Sequence, residues 1–131
     1  MPMHYGHKKL KIVTQSSPTG TQFLQAVGTA LALQKGNQGE VVYVSSGEGT
    51  TSQGDFHEAL NWSTRVKAPV IFHIQNNHYA ISVPIEEQTS GGEVYNIVSG
   101  YENLGKFNIN GCDFFESFLA FKKAIDRARK G

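Results

Sequence analysis

The chain has 131 residues, 12 of them Lys or Arg against 11 Asp or Glu, for a formal net charge of +1; with 39% apolar residues it can bury a core, and its length bounds it to one domain or less. So even a balance gives no electrostatic case for nucleic acid or an anionic membrane, no apolar run approaches the roughly 20 residues that span a bilayer, and no signal peptide is visible. Cys112 is the only cysteine, which excludes an internal disulfide, suits a reducing compartment such as bacterial cytoplasm or mitochondrial matrix, and reads as a small, partly buried residue.

In chain order, Ser17-Pro18 is a helix start, and Phe23, Val27, Ala30 and Leu31 form a helical stripe that Gly36 ends. EVVYVSS, Glu40 to Ser46, is rich in β-branched and aromatic residues and reads as a buried strand, after which Gly47 and Gly49 are expected to let the backbone turn sharply. A helix is expected from near Ser52, with Phe56, Ala59, Leu60 and Ser63 as its core positions, and APVIFHIQ, Ala68 to Gln75, reads as a second buried strand. This is a βαβ unit, and open sheets of that kind bind ligands beyond the carboxyl ends of their strands, where Glu48 and Asn77 lie. Pro84 to Gly105 has little periodicity and four glycines, Gly91, Gly92, Gly100 and Gly105, so it reads as a loop with a short helix near Glu93 to Ser99, a candidate for partner contact or mobility. Asp113 and Glu116 then make a capping-box-like start for a helix with Phe114, Phe118, Phe121, Ile125 and Ala128 at steps of four and three. Its basic residues Lys122, Lys123, Arg127, Arg129 and Lys130 form a solvated face that complements the helix dipole. His4, His7, His57, His73 and His78 lack metal-ligand spacing and read as structural or exposed.

Glu48 selects the kind of ligand. A bare carboxylate repels a diphosphate, so an acid in this turn makes sense with a hard dication between them, and magnesium commonly combines one or two protein carboxylates with substrate phosphates. Asn77, 29 positions on, can add an amide oxygen without adding charge, and a backbone carbonyl in the bend after it can add a third oxygen. Two other nucleotide sites fit poorly. The dinucleotide fingerprint wants Gly-x-Gly-x-x-Gly, but Gly47 and Gly49 are followed by Ser52, and no Gly-Lys-Ser/Thr follows the turn as a phosphate-binding loop requires.

Gly47-Glu48-Gly49 with a downstream Asn76-Asn77 resembles the thiamine diphosphate motif, and NNHYAISVP is similar to the alpha subunit of the 2-oxoacid dehydrogenase decarboxylases. Glu48 in place of the usual Asp resembles the branched-chain (2-oxoisovalerate) members. Ser16 to Ala32 resembles the segment before the motif, and NGCDFFESFLAFKKAIDRARKG the strand-to-helix segment after it. The opening MPMHYG resembles internal family sequence, so residues 1–131 are expected to be a partial thiamine diphosphate-binding domain, a piece of a longer alpha subunit.

The resemblance implies an α/β, three-layer thiamine diphosphate-binding fold with a mostly parallel sheet, incomplete in this chain. It implies that the side chains of Glu48 and Asn77 and the carbonyl of Tyr79 hold magnesium, that Gly47, Gly49 and Thr50 approach the diphosphate, and that Ala80 and Ile81 lie beside the cofactor rings. Ser17 and Thr19 match positions near the cofactor, and Ser16, Pro18, Thr21 and Gln22 match a monovalent-cation loop, for potassium. Three positions depart from the pattern: Gln75 stands where the branched-chain members have an Arg that helps hold the diphosphate, His78 where Gly is frequent, and Thr19 where a larger apolar residue is common. The implied reaction is oxidative decarboxylation of a branched-chain 2-oxo acid with acyl transfer to lipoyl on an acyltransferase component. No catalytic residue is assignable here, because the carboxylate that activates the aminopyrimidine comes from the beta subunit or a fused beta half, so the chain alone is expected to be inactive. A pyruvate or acetoin dehydrogenase alpha subunit, and a non-catalytic cofactor-binding or assembly module, are the alternatives.

Overall fold

The computed structural model describes residues 4–36 and 38–131. Helix α1, Thr21–Gln34, is built largely from strong helix formers and buries Phe23, Ala26, Val27 and Ala30 at steps of three and four. It begins later than Ser17-Pro18, immediately after Gly20, whose φ of 101° is left-handed backbone. The residues before it are committed elsewhere: Thr21 Oγ1 donates to Pro18 O at 2.9 Å, and Gly20 N–H donates to Gln22 Oε1 at 2.9 Å, which makes a compact turn where a first helical turn was expected. The helix stops near Gly36, whose N–H donates to Leu33 O at 2.9 Å.

Strands β1, Val42–Gly47, and β2, Val70–Gln75, pair in parallel from Val42↔Val70 to Gly47↔Gln75. Between them run a 3-10 turn, Glu48–Ser52, and helix α2, Gly54–Val66, so the βαβ unit is present with its helix two residues later than expected. Phe56, Ala59, Leu60 and Ser63 are all buried, as their spacing predicts. Side chains alternate across the strands. One face turns Val44 and Phe72 toward α1 and α2, where the Phe23 ring lies 5.0 Å from Phe56 and 6.1 Å from Phe72 between centroids. The opposite face carries Tyr43 and His73, which meet Phe121 of helix α5, Phe114–Lys130, with the His73 and Phe121 rings edge to face at 5.1 Å. The result is an α/β arrangement of helices, a short parallel sheet and a further helix.

Pro84 to Gly105 is better ordered than its weak periodicity suggested. It contains helix α3, Ile85–Gln88, a 3-10 turn, Ser90–Gly92, and helix α4, Val94–Ile97, inside the expected Glu93 to Ser99 span. Ile85, Val94 and Val98 join the main core, so three apolar side chains tether a segment too irregular to show a period. Asp113 Oδ1 accepts the Glu116 N–H at 3.0 Å, the cap expected for α5. The stripe of that helix splits: Phe121, Ile125 and Ala128 are half-buried, whereas Phe114 and Phe118 are 72% and 58% exposed. Two of its basic residues do more than face water, because Arg127 donates to Asn103 O at 3.3 Å and Arg129 to Gly39 O at 3.1 Å. Cys112 is exposed, not partly buried, in the turn that precedes the helix.

Candidate functional site at the end of the parallel strands

The ladder register places the site. Gly47 is the last residue of β1 and pairs with Gln75, the last of β2, so Glu48 and the Asn76-Asn77 pair leave the sheet side by side. Glu48 turns inward and is 1% exposed. Its Oε2 accepts the Asn77 N–H at 3.3 Å, and its Oε1 is buried with no hydrogen-bond partner. A carboxylate oxygen is an acceptor that burial penalises unless a donor or a cation meets it.

The glycines flanking Glu48 do not work as expected. Gly47 has extended backbone, φ −78° and ψ 165°, and a Cβ added there would have Gln75 O as its nearest neighbour at 3.9 Å. Neither glycine has positive φ. Gly49 is required for a different reason: an added Cβ would lie 2.8 Å from the Ala80 Cβ, so the missing side chain lets the 3-10 turn close against the hairpin that follows Asn77. Within the turn Thr50 and Thr51 are buried, and Thr51 Oγ1 donates to Glu48 O at 2.7 Å.

The hairpin consists of β3, Tyr79–Ala80, and β4, Val83–Pro84, paired antiparallel. Two successive asparagine turns lead into it: Asn76 Oδ1 accepts the His78 N–H at 2.9 Å, and Asn77 Oδ1 accepts the Tyr79 N–H at 2.8 Å. An amide oxygen has two lone pairs, so Asn77 Oδ1 retains one acceptor site. His78 and Ile81 have φ of 68° and 59°. His tolerates this left-handed region, but for β-branched Ile it is a strained conformation of the kind that gathers at ligand sites. Ile81 is fully exposed, an apolar side chain held out from the hairpin tip.

The loop before α1 reaches the same turn. A Cβ added to Gly20 would lie 3.0 Å from Gln53 Cβ and 3.7 Å from Thr50 Cγ2. Within the loop, Ser16 Oγ is hydrogen-bonded to Thr21 Oγ1, which in turn bonds Pro18 O, so three of the four proposed cation-loop oxygens converge, while Gln22 Oε1 turns back to Gly20. Ser17 Oγ lies 2.9 Å from His4 Nε2, and His4 Nδ1 lies 2.8 Å from Gln15 O. Thr19 and Gln75 are exposed.

Glu48, Gly49, Thr50, Asn77, Tyr79, Ala80 and the loop carrying Ser17 and Thr19 thus share one end of the sheet. Gly20 and Gln88 also touch this region and escaped the sequence reading, while His4, read as structural or exposed, is exposed and bonds the loop at Ser17. A Gly just before a helical stripe was a visible turn signal; Gln88 is joined to the site only by the tertiary fold. The remaining histidines lie elsewhere: His57 Nδ1 is 3.3 Å from the Tyr101 hydroxyl, and His73 Nδ1 is 2.7 Å from the Tyr43 hydroxyl. Burial lowers the His73 pKa from its ordinary 6.5. Among the described residues no group of three or more His, Cys, Asp or Glu could hold a metal. A single buried carboxylate beside asparagine side chains instead offers the oxygen donor types that a hard dication takes.

A parallel βαβ unit with an acidic turn at its carboxyl end defines an α/β protein, and in open sheets of this class that end is where ligands bind. Residues 1–131 match the dehydrogenase E1 component family along the whole chain, and the chain belongs to that family. It is 45% identical over 131 residues to the 2-oxoisovalerate dehydrogenase subunit alpha of Bacillus subtilis (strain 168), covering 100% of this chain and 39% of that protein. Against the mitochondrial 2-oxoisovalerate dehydrogenase subunit alpha of Homo sapiens it is 41% identical over 128 residues, 98% of this chain and 28% of the relative. The 3-methyl-2-oxobutanoate dehydrogenase subunit alpha of Mycobacterium tuberculosis (strain ATCC 25618 / H37Rv) is 39% identical over 116 residues, 88% of this chain and 31% of the relative. The chain therefore spans well under half the length of these proteins.

Proposed function

We propose that this chain supplies the metal and diphosphate half of the thiamine diphosphate site in a branched-chain 2-oxoacid dehydrogenase E1 component, within a partial thiamine diphosphate-binding domain. The observation that carries the reading is the buried Glu48 carboxylate, one oxygen bonded to the Asn77 N–H and the other without a partner. That unmatched acceptor fits a magnesium ion. Glu48 and Asn77 would hold the ion through their side chains and Tyr79 through its carbonyl, while Gly47, Gly49 and Thr50 line the approach of the diphosphate. When bound, the cofactor would supply a nucleophilic thiazolium carbon and an electron sink for the bonding pair that stays behind as carbon dioxide leaves.

The chain's own residues bind and orient. Ile81, strained and exposed, presents an apolar surface to the cofactor rings beside Ala80. Ser17 and Thr19 approach from the other side of the turn, and Ser16, Pro18, Thr21 and Gln22 brace their loop around potassium. Gln75 carries no charge, so neutralisation of the diphosphate falls to the metal and to other groups. The activating carboxylate would come from a beta subunit or fused beta half, and a lipoyl-bearing acyltransferase would take the acyl group. Support for the branched-chain assignment is the 41–45% identity to 2-oxoisovalerate dehydrogenase alpha subunits.

Calorimetric titration of magnesium and thiamine diphosphate onto the complete enzyme tests the reading. Glu48→Ala and Asn77→Ala are expected to weaken magnesium-dependent cofactor binding far more than His57→Ala. Equal affinity in all three variants would sink it.

A further inference from the structure

Among the described residues, two buried side-chain atoms lack a hydrogen-bond partner, Glu48 Oε1 and Gln88 Oε1. Gln88 ends α3, and its amide reaches back 40 positions to the turn that carries Glu48. Nε2 donates to Glu48 O at 3.2 Å and to Ser52 Oγ at 3.0 Å, so one amide group spans the 3-10 turn from its first residue to its last. The amide orientation follows from chemistry: the Glu48 carbonyl can only accept, so the nitrogen must face it. Oε1 is then left on the far side, and a Cβ added to Gly49 would lie 3.8 Å from it. Ala80 of the hairpin and Gln88 thus both close on the turn at Gly49.

A purely space-filling role accounts poorly for this residue. An apolar side chain could pack at the end of α3 without leaving a buried oxygen unmatched, which is unfavourable. Retaining an amide makes sense if its two N–H groups are what the site needs. With the Glu48 carbonyl and the Ser52 hydroxyl both bonded to one amide, the backbone that carries the Glu48 side chain is held at both ends of the turn. We propose that Gln88 is a positioning residue that orients the Glu48 carboxylate for its cation, acting through the backbone of the Glu48–Ser52 turn. This rests on the reading of Glu48 as a metal ligand.

The test uses the complete enzyme that carries this chain, with manganese as a paramagnetic probe in the magnesium position. Gln88→Met removes both N–H donors at similar length, and Gln88→Glu keeps the shape but sets an acceptor against the Glu48 carbonyl. Both are expected to weaken manganese binding by ~10-fold or more, the range for groups that orient a metal ligand, and to change the manganese resonance line shape. A merely structural contact would lower the thermal midpoint of the metal-free enzyme while leaving affinity and line shape intact. Glu48→Ala is the control. Unchanged manganese affinity and spectrum in the Gln88 variants, with affinity lost in Glu48→Ala, overturns the role of Gln88 alone. Unchanged affinity in Glu48→Ala overturns the metal reading and this inference with it. Should Gln88→Met not assemble, the isosteric Gln88→Glu decides.

Discussion

Replacing Glu48 by Gln is expected to move two quantities in opposite directions. The side chain is 1% exposed, and its single hydrogen bond, from the Asn77 N–H at 3.3 Å, is to an oxygen that Gln also possesses. Without a cation the unmatched Oε1 is a liability, since a buried polar group lacking a partner costs about 1–3 kcal/mol and more when charged. Glu48→Gln should therefore leave the metal-free protein as stable as the parent or raise its stability by up to about 2 kcal/mol. Metal binding should fall steeply. Groups that only orient a ligand are worth about 10–100-fold in metal affinity, so loss of the one carboxylate in the set should exceed the upper figure, which is about 2.7 kcal/mol. Thermal unfolding in chelator gives the first quantity, and calorimetric titration with magnesium in the presence of thiamine diphosphate gives the second. Glu48→Asp should fall between, keeping the charge but shortening the reach. Magnesium affinity in Glu48→Gln within about threefold of the parent, far below the expected loss, would refute the assignment.

Gly49→Ala should lower stability by about 1–3 kcal/mol, because its Cβ meets the Ala80 Cβ at 2.8 Å, while Gly47→Ala should be near neutral; denaturation midpoints compare them directly. For His73, burial holds the folded-state pKa below the ordinary 6.5, so its contribution to stability is present above that value and is lost as pH falls from 6.5 toward the lowered one. Midpoints of unfolding between pH about 7 and about 5 should therefore decline less in His73→Gln than in the parent, and parallel declines would contradict this. Steady-state rates of the complete enzyme on 2-oxoisovalerate, pyruvate and 2-oxobutanoate should favour the branched acid. A tenfold preference for pyruvate, about 1.4 kcal/mol in transition-state stabilisation, would remove the branched-chain assignment and leave the cofactor site standing.

What the sequence determined by itself is the βαβ unit and the residues at its carboxyl end. Phe56, Ala59, Leu60 and Ser63 repeat at helical spacing, and Glu40 to Ser46 and Ala68 to Gln75 are apolar enough to be strands, which form at Val42–Gly47 and Val70–Gln75. The Gly-Glu-Gly turn and the Asn pair carried the family likeness because their chemistry is confined to a few adjacent residues. Other features depend on contacts between distant segments and leave no periodic trace. The helix start moved from Ser17-Pro18 to Thr21 because side-chain and backbone hydrogen bonds closed a separate turn there. Pro84 to Gly105 reads in sequence as a loop with one short helix, and only the contacts of Ile85, Val94 and Val98 tie it to the core. The glycine requirement at position 49 comes from Ala80, 31 residues on, and the grip of Gln88 on the Glu48 turn spans 40 positions. Spacing along a chain encodes which face of an element is buried, whereas which atoms come within reach of Glu48 is decided only when the hairpin and α3 fold back over the turn.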